Sequence, residues 1–400
     1  MNRLRKLFGP GTLVAAAFIG PGTVTTCTMA GVESRYELLW VMAFATLATI
    51  VLQEMSARLG FATRKGLGEA FNQQFRRGVA RYLVFFLVIG AILIGNAAYE
   101  AGNLSGGVLG ADLVLGEFKL WPVVIGSLCF LLLFIGQYRW IERVLVGMVL
   151  LMSTCFLLTA ILVKPDLSEV LGGLVPRVPE GDGLLLVMGL IGTTVVPYNL
   201  FLHAATIPKK WGKNASLRDI RWENAVAIGL GGLVSMLIII TAASTSGSLE
   251  KVTSAGDLAQ QLEPLFGAGA RIFMGIGLMA AGISSALTAP LAAAYAAKGL
   301  FGWSDDERQG KFRAVWMAIL VIGVLVAITD VDRVLVIQFA QITNALLLPF
   351  IAVYLLYVAN SKRLLGRYTN HFLANALGTL VILFTLLLAF RSFNSIFKFL

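Results

Sequence analysis

The stretch 193–199, Thr-Thr-Val-Val-Pro-Tyr-Asn, interrupts an apolar segment that is long enough to cross a membrane. A second interruption, Gly-Pro-Gly-Thr at 20–23, lies in the corresponding position of the first half of the chain. Because proline removes a backbone donor and clashes with the preceding helical turn, each site predicts a broken helix. Broken backbone is tolerated at membrane depth only where it is buried in protein or lines a wet cavity. The paired breaks therefore indicate a transporter with a substrate site near the bilayer midplane.

The composition is that of an integral membrane protein. Hydrophobic residues make up 58% of the chain and charged residues 14%, and the mean hydropathy is +0.82, far from the values of soluble domains. A span needs about 20 apolar residues, and we predict an all-α polytopic protein with 11 transmembrane helices. The predicted spans are 11–33, 38–59, 82–110, 121–137, 143–163, 183–208, 224–245, 271–299, 312–329, 333–359 and 372–391.

The net charge of +10 is interpreted as a topology signal rather than as a nucleic-acid footprint, because lysine and arginine collect in cytoplasmic loops. Most of the 32 basic residues lie on one side if the N-terminus is cytoplasmic and the C-terminus outside. We therefore predict this orientation in the cell (inner or plasma) membrane. The groups assigned to the cytoplasm include Arg3, Arg5, Lys6, Arg64, Lys65, Arg76, Arg77, Arg81, Lys209, Lys210, Lys213, Arg218, Arg221, Lys362, Arg363 and Arg367.

The order of the spans predicts an inverted repeat within one transport domain, 1–400. Five spans make the first copy, about 11–163, and five the second, about 183–359. Because five is odd, the second copy enters the membrane from the opposite side. The last span, about 372–391, is an extra helix. We expect a lipid bilayer and a small solute or ion as partners, no obligate protein partner, no enzymatic activity and no cofactor.

The chemistry at the breaks comes from helix ends and hydroxyl groups. Each break exposes amide donors from one half-helix and carbonyl acceptors from the other. Neither four-residue break, 20–23 or 196–199, contains Asp, Glu, His or Met, the side chains that hard or soft metal ions prefer. Threonines that flank the breaks are candidates to line a site, although threonine within a span also bonds to its own helix. Cys27 alone offers a soft ligand nearby, and we assign no metal ligand.

Ionisable residues inside spans are expensive and therefore usually functional. Glu100 lies deep in the third span, and Asn103 lies one turn away on the same face. His203 follows the second break, and its side chain titrates near neutral pH in water. We predict proton or ion coupling through Glu100, Asn103 and His203, with an interhelical hydrogen bond as the alternative. Glu54 and Arg58 have the spacing of a helical ion pair.

Several segments resemble the natural resistance-associated macrophage protein family of divalent-metal transporters. They include the Pro-Gly turn at 21–22, the segment 52–60, the run 191–203, the Gly-x-Ser-Ser-x-Leu-Thr pattern at 282–288 and Leu-Pro-Phe at 348–350. The resemblance covers nearly the whole chain. It implies a LeuT-type fold of five-plus-five inverted repeats in which helices 1 and 6 are unwound.

The resemblance also shows where this chain departs from the family pattern. Gly20 stands where the family has its metal-binding Asp, and Thr23 stands where it has an Asn. Val196 replaces the family's Met, and Tyr198 its His. In the third span Glu100 and Asn103 match the family's Asp and Glu, so that one carboxylate is kept and one is lost. Gln341 and His203 match the family's cavity Gln and its second His.

These departures leave three hypotheses. The favoured one is a secondary-active transporter with a rebuilt site that moves a small organic or anionic solute by symport with H⁺ or Na⁺. The alternative is a carrier of a largely hydrated divalent cation, and the third is a membrane sensor that does not transport. The predicted substrate-binding residues are Gly20, Thr23, Thr193, Val196, Tyr198, Asn199 and Gln341.

Overall fold

A computed structural model describes residues 19–75, 79–136, 139–177, 179, 182–211, 216–247, 249–303 and 310–397. Throughout these residues the regular structure is helical, which confirms the predicted all-α class. The helices are α1 Pro21–Ser34, α2 Leu39–Thr63, α3 Leu67–Gln74, α4 Val79–Leu115, α5 Trp121–Ile135, α6 Arg139–Val163, α7 Leu167–Gly172, α8 Asp182–Thr194, α9 Pro197–Lys210, α10 Leu217–Thr245, α11 Ala255–Gln260, α12 Glu263–Phe266, α13 Ala270–Phe301, α14 Gly310–Ala327, α15 Arg333–Ala359, α16 Lys362–Leu365 and α17 Phe372–Phe397.

The described residues contain helices at most of the predicted membrane spans. Among the described residues, nine helical segments are long and apolar enough to cross a membrane, with α8 and α9 forming one of them. A tenth apolar helix, α5, coincides with the predicted span 121–137 but is shorter. Residues 11–18 of the first predicted span lie outside the described residues, as do Arg3, Arg5, Lys6, Arg76, Arg77 and Lys213. The predicted count of eleven is thus not confirmed.

The second predicted break is present. Helix α8 ends at Thr194 and α9 begins at Pro197, and Val196 between them has extended backbone angles, φ −81° and ψ 119°. The break follows from proline chemistry, since Pro197 lacks the amide hydrogen that would continue α8, whereas at the first helical position that loss is harmless. The two half-helices therefore meet at residues 195–196.

Only the second half of the first break can be seen. Helix α1 begins at Pro21, and the preceding Gly20 is extended, with φ −88° and ψ 175°. The Gly20 carbonyl accepts hydrogen bonds from the backbone amides of Thr23 and Val24, so that α1 starts at Pro21 as α9 starts at Pro197.

Close backbone contacts bring the broken helices to the centre of the bundle. Helix α4 packs along α13 and α15, while α8 packs against α15 and α1 against α10. A Cβ atom on Gly192 of α8 would lie 1.8 Å from the backbone oxygen of Gln341 on α15. Because such a distance is impossible for any other residue, Gly192 permits the contact that places α15 beside the breaks.

The predicted Glu54–Arg58 ion pair is confirmed, with 3.2 Å between Glu54 Oε2 and Arg58 Nη2. Arg221 of α10 also binds Glu54, at 2.7 Å. The buried Arg58 guanidinium donates to the Tyr368 carbonyl at 2.9 Å and to the Asn370 side chain. Glu54 and Arg58 lie on α2, Arg221 lies on α10, and Tyr368 and Asn370 lie just before α17. The ion pair therefore links three parts of the bundle.

Candidate functional site between the broken helices

A hydrogen bond joins the two broken helices. The Oγ1 atoms of Thr23 on α1 and Thr193 on α8 are 2.9 Å apart, and both side chains are buried. Thr193 lies in the last turn of α8, where the backbone carbonyls carry partial negative charge. Two predicted site residues that are 170 positions apart in the chain are thus brought together by the structure.

Gln341 of α15 lies beside this hydroxyl pair. Its Nε2 atom would be 2.2 Å from a Cβ on Gly22, so that the amide rests directly on the backbone of α1. Nε2 donates to the Ile337 carbonyl at 3.3 Å, whereas the buried Oε1 has no hydrogen-bond partner among the described residues. Gln341 therefore offers an amide oxygen at the start of the first broken helix, and its predicted role in substrate binding remains a prediction.

Aromatic and small apolar side chains pack together where the family pattern has its Met and its His, at positions 196 and 198. Tyr198 and Tyr99 make an edge-to-face contact with ring centroids 5.3 Å apart, and Val196, Ala289 and Ala292 pack with them in one buried cluster. Asn199, the next residue of α9, is also buried. The substitutions at 196 and 198 thus produce an apolar wall on one side of the breaks.

Tyr99 and Ser285 are site residues that the sequence analysis missed. A Cβ on Gly20 would lie 3.1 Å from Ser285 Oγ and 3.7 Å from the Tyr99 hydroxyl. The Tyr99 hydroxyl is buried and has no partner among the described residues. Both residues lie in segments that the sequence analysis had singled out, since Tyr99 precedes Glu100 and Ser285 belongs to the pattern at 282–288. The sequence does not indicate which way either side chain faces.

The threonines near the breaks divide into two groups. Thr28 donates to the Val24 carbonyl at 2.7 Å, and Thr194 donates to the Leu190 carbonyl at 2.7 Å, as the alternative of bonding within the helix predicted. The hydroxyls of Thr25 and Thr26 are buried without a partner within the described part of the chain. Residue type alone therefore does not decide which threonine is available to a ligand.

Glu100 and Asn103 are buried on α4, but Glu100 is directed at another helix. A Cβ on Gly323 of α14 would lie 2.6 Å from Glu100 Cγ. Neither carboxyl oxygen of Glu100 has a hydrogen-bond partner among the described residues, nor does Asn103 Nδ2. The neighbouring residue Tyr99 reaches the break, so that α4 carries a site residue and a buried carboxyl side by side in sequence.

His203 forms the interhelical hydrogen bond that the sequence analysis gave as its alternative role. Its Nδ1 atom is 2.7 Å from Gln53 Oε1 on α2. An amide oxygen only accepts, so Nδ1 carries the proton and donates. Both side chains are buried, and the bond ties α9 to α2. This geometry gives His203 a structural contact and leaves its predicted coupling role untested.

The side chains near the breaks do not form a conventional metal cluster. Among the described residues, no group of three or more His, Cys, Asp or Glu side chains is placed to hold a metal ion. Cys27 is fully buried in the main apolar core. The donors that surround the breaks are instead the hydroxyls of Thr23, Thr193 and Tyr99 and the amide of Gln341. These are neutral oxygen groups.

The fold and the breaks define a multi-pass helical membrane protein with a buried, neutral polar site between two broken helices. The chain belongs to the natural resistance-associated macrophage protein-like family, whose profile matches residues 11–394. A divalent metal cation transporter MntH of Klebsiella pneumoniae subsp. pneumoniae is 30% identical over 373 residues, which cover 91% of this chain and 88% of the relative. The family resemblance noted in the sequence is confirmed.

Solved structures support the same fold. A manganese transporter of Eremococcus coleocola, solved with an aromatic bis-isothiourea compound, superposes with a TM-score of 0.77 at 23% identity, covering 97% of this chain and 86% of that one. Mhp1, a nucleobase-cation-symport-1 family transporter, superposes with a TM-score of 0.56 at 16% identity, covering 97% and 92%. The predicted fold class is confirmed by these matches, which at such identities concern the fold alone.

Proposed function

We propose that this protein is a secondary-active transporter that carries a largely hydrated divalent cation. The observation that carries the proposal is the hydroxyl pair Thr23–Thr193 at 2.9 Å, which joins the two broken helices beside the unpartnered Oε1 of Gln341. Hydroxyl and amide oxygens are hard ligand atoms. They can also accept hydrogen bonds from the water molecules that surround a hydrated ion. Mg²⁺ dehydrates reluctantly and usually keeps several waters, so a site of this kind suits an ion of that class.

The sequence analysis favoured a small organic or anionic solute, and the comparisons fit the cation alternative better. The Klebsiella relative is named as a divalent metal cation transporter, and the Eremococcus coleocola structure is named as a manganese transporter. A cation is also favoured by the carbonyl end of α8, whose partial negative charge lies at Thr193. The apolar wall formed by Tyr99, Val196 and Tyr198 removes volume on one side, which leaves the hydroxyl side for the ion.

We propose that H⁺ is the coupling ion and that Glu100 carries it. The carboxyl group is fully buried, and neither oxygen has a partner among the described residues, so that a bound proton neutralises a charge that is costly at membrane depth. Na⁺ is the alternative. We further propose the inverted five-plus-five repeat, the cell membrane as location and the absence of enzymatic activity. The placement of the basic residues supports an N-terminus in the cytoplasm and a C-terminus outside.

Uptake into vesicles tests the proposed substrate class. The purified full chain is reconstituted into liposomes, and the entry of Mg²⁺ and Mn²⁺ is followed with dyes trapped inside. We expect the entry of each ion to be saturable and to exceed its entry into protein-free vesicles. Each ion should also inhibit the entry of the other. If neither these ions nor Ca²⁺ enter faster than in protein-free vesicles, while a small organic solute raises the melting temperature of the protein, the cation proposal is wrong.

A further inference from the structure

A cavity on the side of the molecule is lined by residues that lie outside the two breaks. It has a volume of about 550 Å³ and is lined mainly by residues of α4, α15 and α17. We call it the side cavity and define it by six of its lining residues: Phe75, Leu87, Phe350, Val353, Tyr357 and Leu386. Its walls are apolar, and Leu87, Phe350 and Val353 are each about half exposed. The cavity therefore presents a concave apolar surface at membrane depth.

The length of the side cavity matches one leaflet of a bilayer. Along α15 it extends from Pro349 to Tyr357, a separation of about 12 Å at the helical rise of ~1.5 Å per residue. Half of the hydrocarbon core is about 15 Å thick. An acyl chain that enters at the Tyr357 end would thus reach close to the bilayer centre at Pro349.

The Tyr357 end of the side cavity is polar. Gln74 Nε2 donates to the Tyr357 hydroxyl at 3.2 Å, and the Ser361 hydroxyl donates to Gln74 Oε1 at 2.9 Å. Phe75 stacks on Tyr357 with ring centroids 5.4 Å apart. Aromatic rings with a polar tip are enriched at the membrane–water interface, so this end is the mouth at which a lipid headgroup would lie.

Basic side chains surround this mouth. Lys362 and Arg363 follow Ser361 directly and are exposed. Arg81 of α4 is fixed beside Phe75, since it donates to the Phe75 carbonyl at 2.9 Å and to Asn72 Oδ1 at 3.1 Å. The acid on the adjacent helix α3 is Glu69, whose Oε2 lies against Gly299 of α13. Positive charge therefore prevails where the headgroup would lie.

We propose that the side cavity is a binding site for an anionic phospholipid, with one acyl chain along α15 and its phosphate between Arg81, Lys362 and Arg363. Under the orientation proposed above, this lipid belongs to the cytoplasmic leaflet. The concave apolar wall contacts the acyl chain of the lipid. The basic mouth favours an anionic headgroup over a zwitterionic one. The site is separate from the transport site, and its existence does not depend on which substrate is carried.

Native mass spectrometry of the full chain in detergent tests the proposal with phosphatidylglycerol and phosphatidylcholine that have the same acyl chains. The wild-type protein should retain one phosphatidylglycerol in preference to phosphatidylcholine. Replacing both Lys362→Gln and Arg363→Gln should reduce this preference by roughly tenfold or more, since each surface cation contributes about 1 kcal/mol to binding an anionic lipid. Val353→Trp, which fills the cavity, should reduce the retention of both lipids, and Leu87→Trp on the opposite wall should do the same.

Matched controls separate a site from general attraction. Arg218→Gln combined with Lys311→Gln removes two exposed cations in the first turns of α10 and α14, and Leu150→Trp enlarges an exposed side chain on α6. Both controls should bind lipid like the wild type. The proposal is overturned if the wild type shows no headgroup preference, or if the Arg218→Gln and Lys311→Gln control lowers this preference as much as Lys362→Gln with Arg363→Gln. It is also overturned if Val353→Trp and Leu87→Trp, each eluting as a single species, retain lipid as fully as the wild type.

Discussion

Thr23 and Thr193 share a hydrogen bond across the two broken helices, with their Oγ1 atoms 2.9 Å apart. Thr23 lies in the first turn of α1 and Thr193 in the last turn of α8. The amide end of one half-helix therefore meets the carbonyl end of another through two hydroxyl groups. Such a pair can turn its hydrogens towards an anion or its lone pairs towards a cation and its waters.

Thr23→Val and Thr193→Val should each weaken the uptake of divalent cations, because valine keeps the shape of threonine and removes the oxygen. A hydrogen bond to a charged group contributes about 1.5–3 kcal/mol, so we expect KM to rise by roughly tenfold or more. The measurement is dye-detected uptake in liposomes. The control is Thr194→Val, whose hydroxyl bonds to the Leu190 carbonyl of its own helix. Equal KM values for all three variants would show that the pair does not contact the ion.

Glu100→Gln should remove the dependence of uptake on an imposed pH gradient, because the amide has the shape of the carboxyl group but cannot exchange a proton. Uptake driven by the cation gradient alone should persist. The control is Glu250→Gln, an exposed carboxyl group outside the spans. A pH dependence that survives in Glu100→Gln would exclude this residue as the proton carrier and assign proton coupling to another group.

His203→Ala should lower stability and leave the pH dependence of uptake intact. The change leaves the buried Gln53 Oε1 without its donor, which costs about 1–3 kcal/mol. Thermal unfolding of His203→Ala, Gln53→Leu and the double variant gives a coupling energy, which we expect to be about 1 kcal/mol. The contrary result, unchanged stability with a lost pH dependence, would assign proton coupling to His203.

Local chemistry explains which features could be predicted from the sequence. The break at 195–196 follows from one proline, and the Glu54–Arg58 pair follows from the spacing of a helical turn. The predicted spans agree with the helices to within a few residues at most ends, as for 333–359 and α15. Each of these features depends on residues that are close together in the chain, so composition and spacing are sufficient.

Contacts between distant helices could not be predicted in this way. The approach of Gly20 to Ser285 and Tyr99 and the placement of Glu100 against Gly323 depend on how α4, α13 and α14 rotate about their axes. Helix rotation is decided by the packing of whole surfaces. The same limit applies to the threonines, since Thr23 reaches another helix while Thr194 bonds within its own.

Gly20→Asp should convert the site into one that binds Mn²⁺ more directly, since a hard cation gains a carboxylate ligand. Among the described residues, a Cβ at position 20 would lie 3.1 Å from Ser285 Oγ, which has to shift by a few tenths of an ångström, and 3.7 Å from the Tyr99 hydroxyl. Without metal the variant should be less stable than the wild type, because an unpaired buried charge is costly.

Mn²⁺ should then raise the melting temperature of Gly20→Asp much more than that of the wild type, and calorimetric titration should show an affinity at least about tenfold higher. Gly20→Asn is the matched control, because it has the same shape without the charge and should respond to Mn²⁺ like the wild type. If Gly20→Asp and Gly20→Asn bind Mn²⁺ equally, residue 20 does not face the ion, and the cation passes elsewhere between the broken helices.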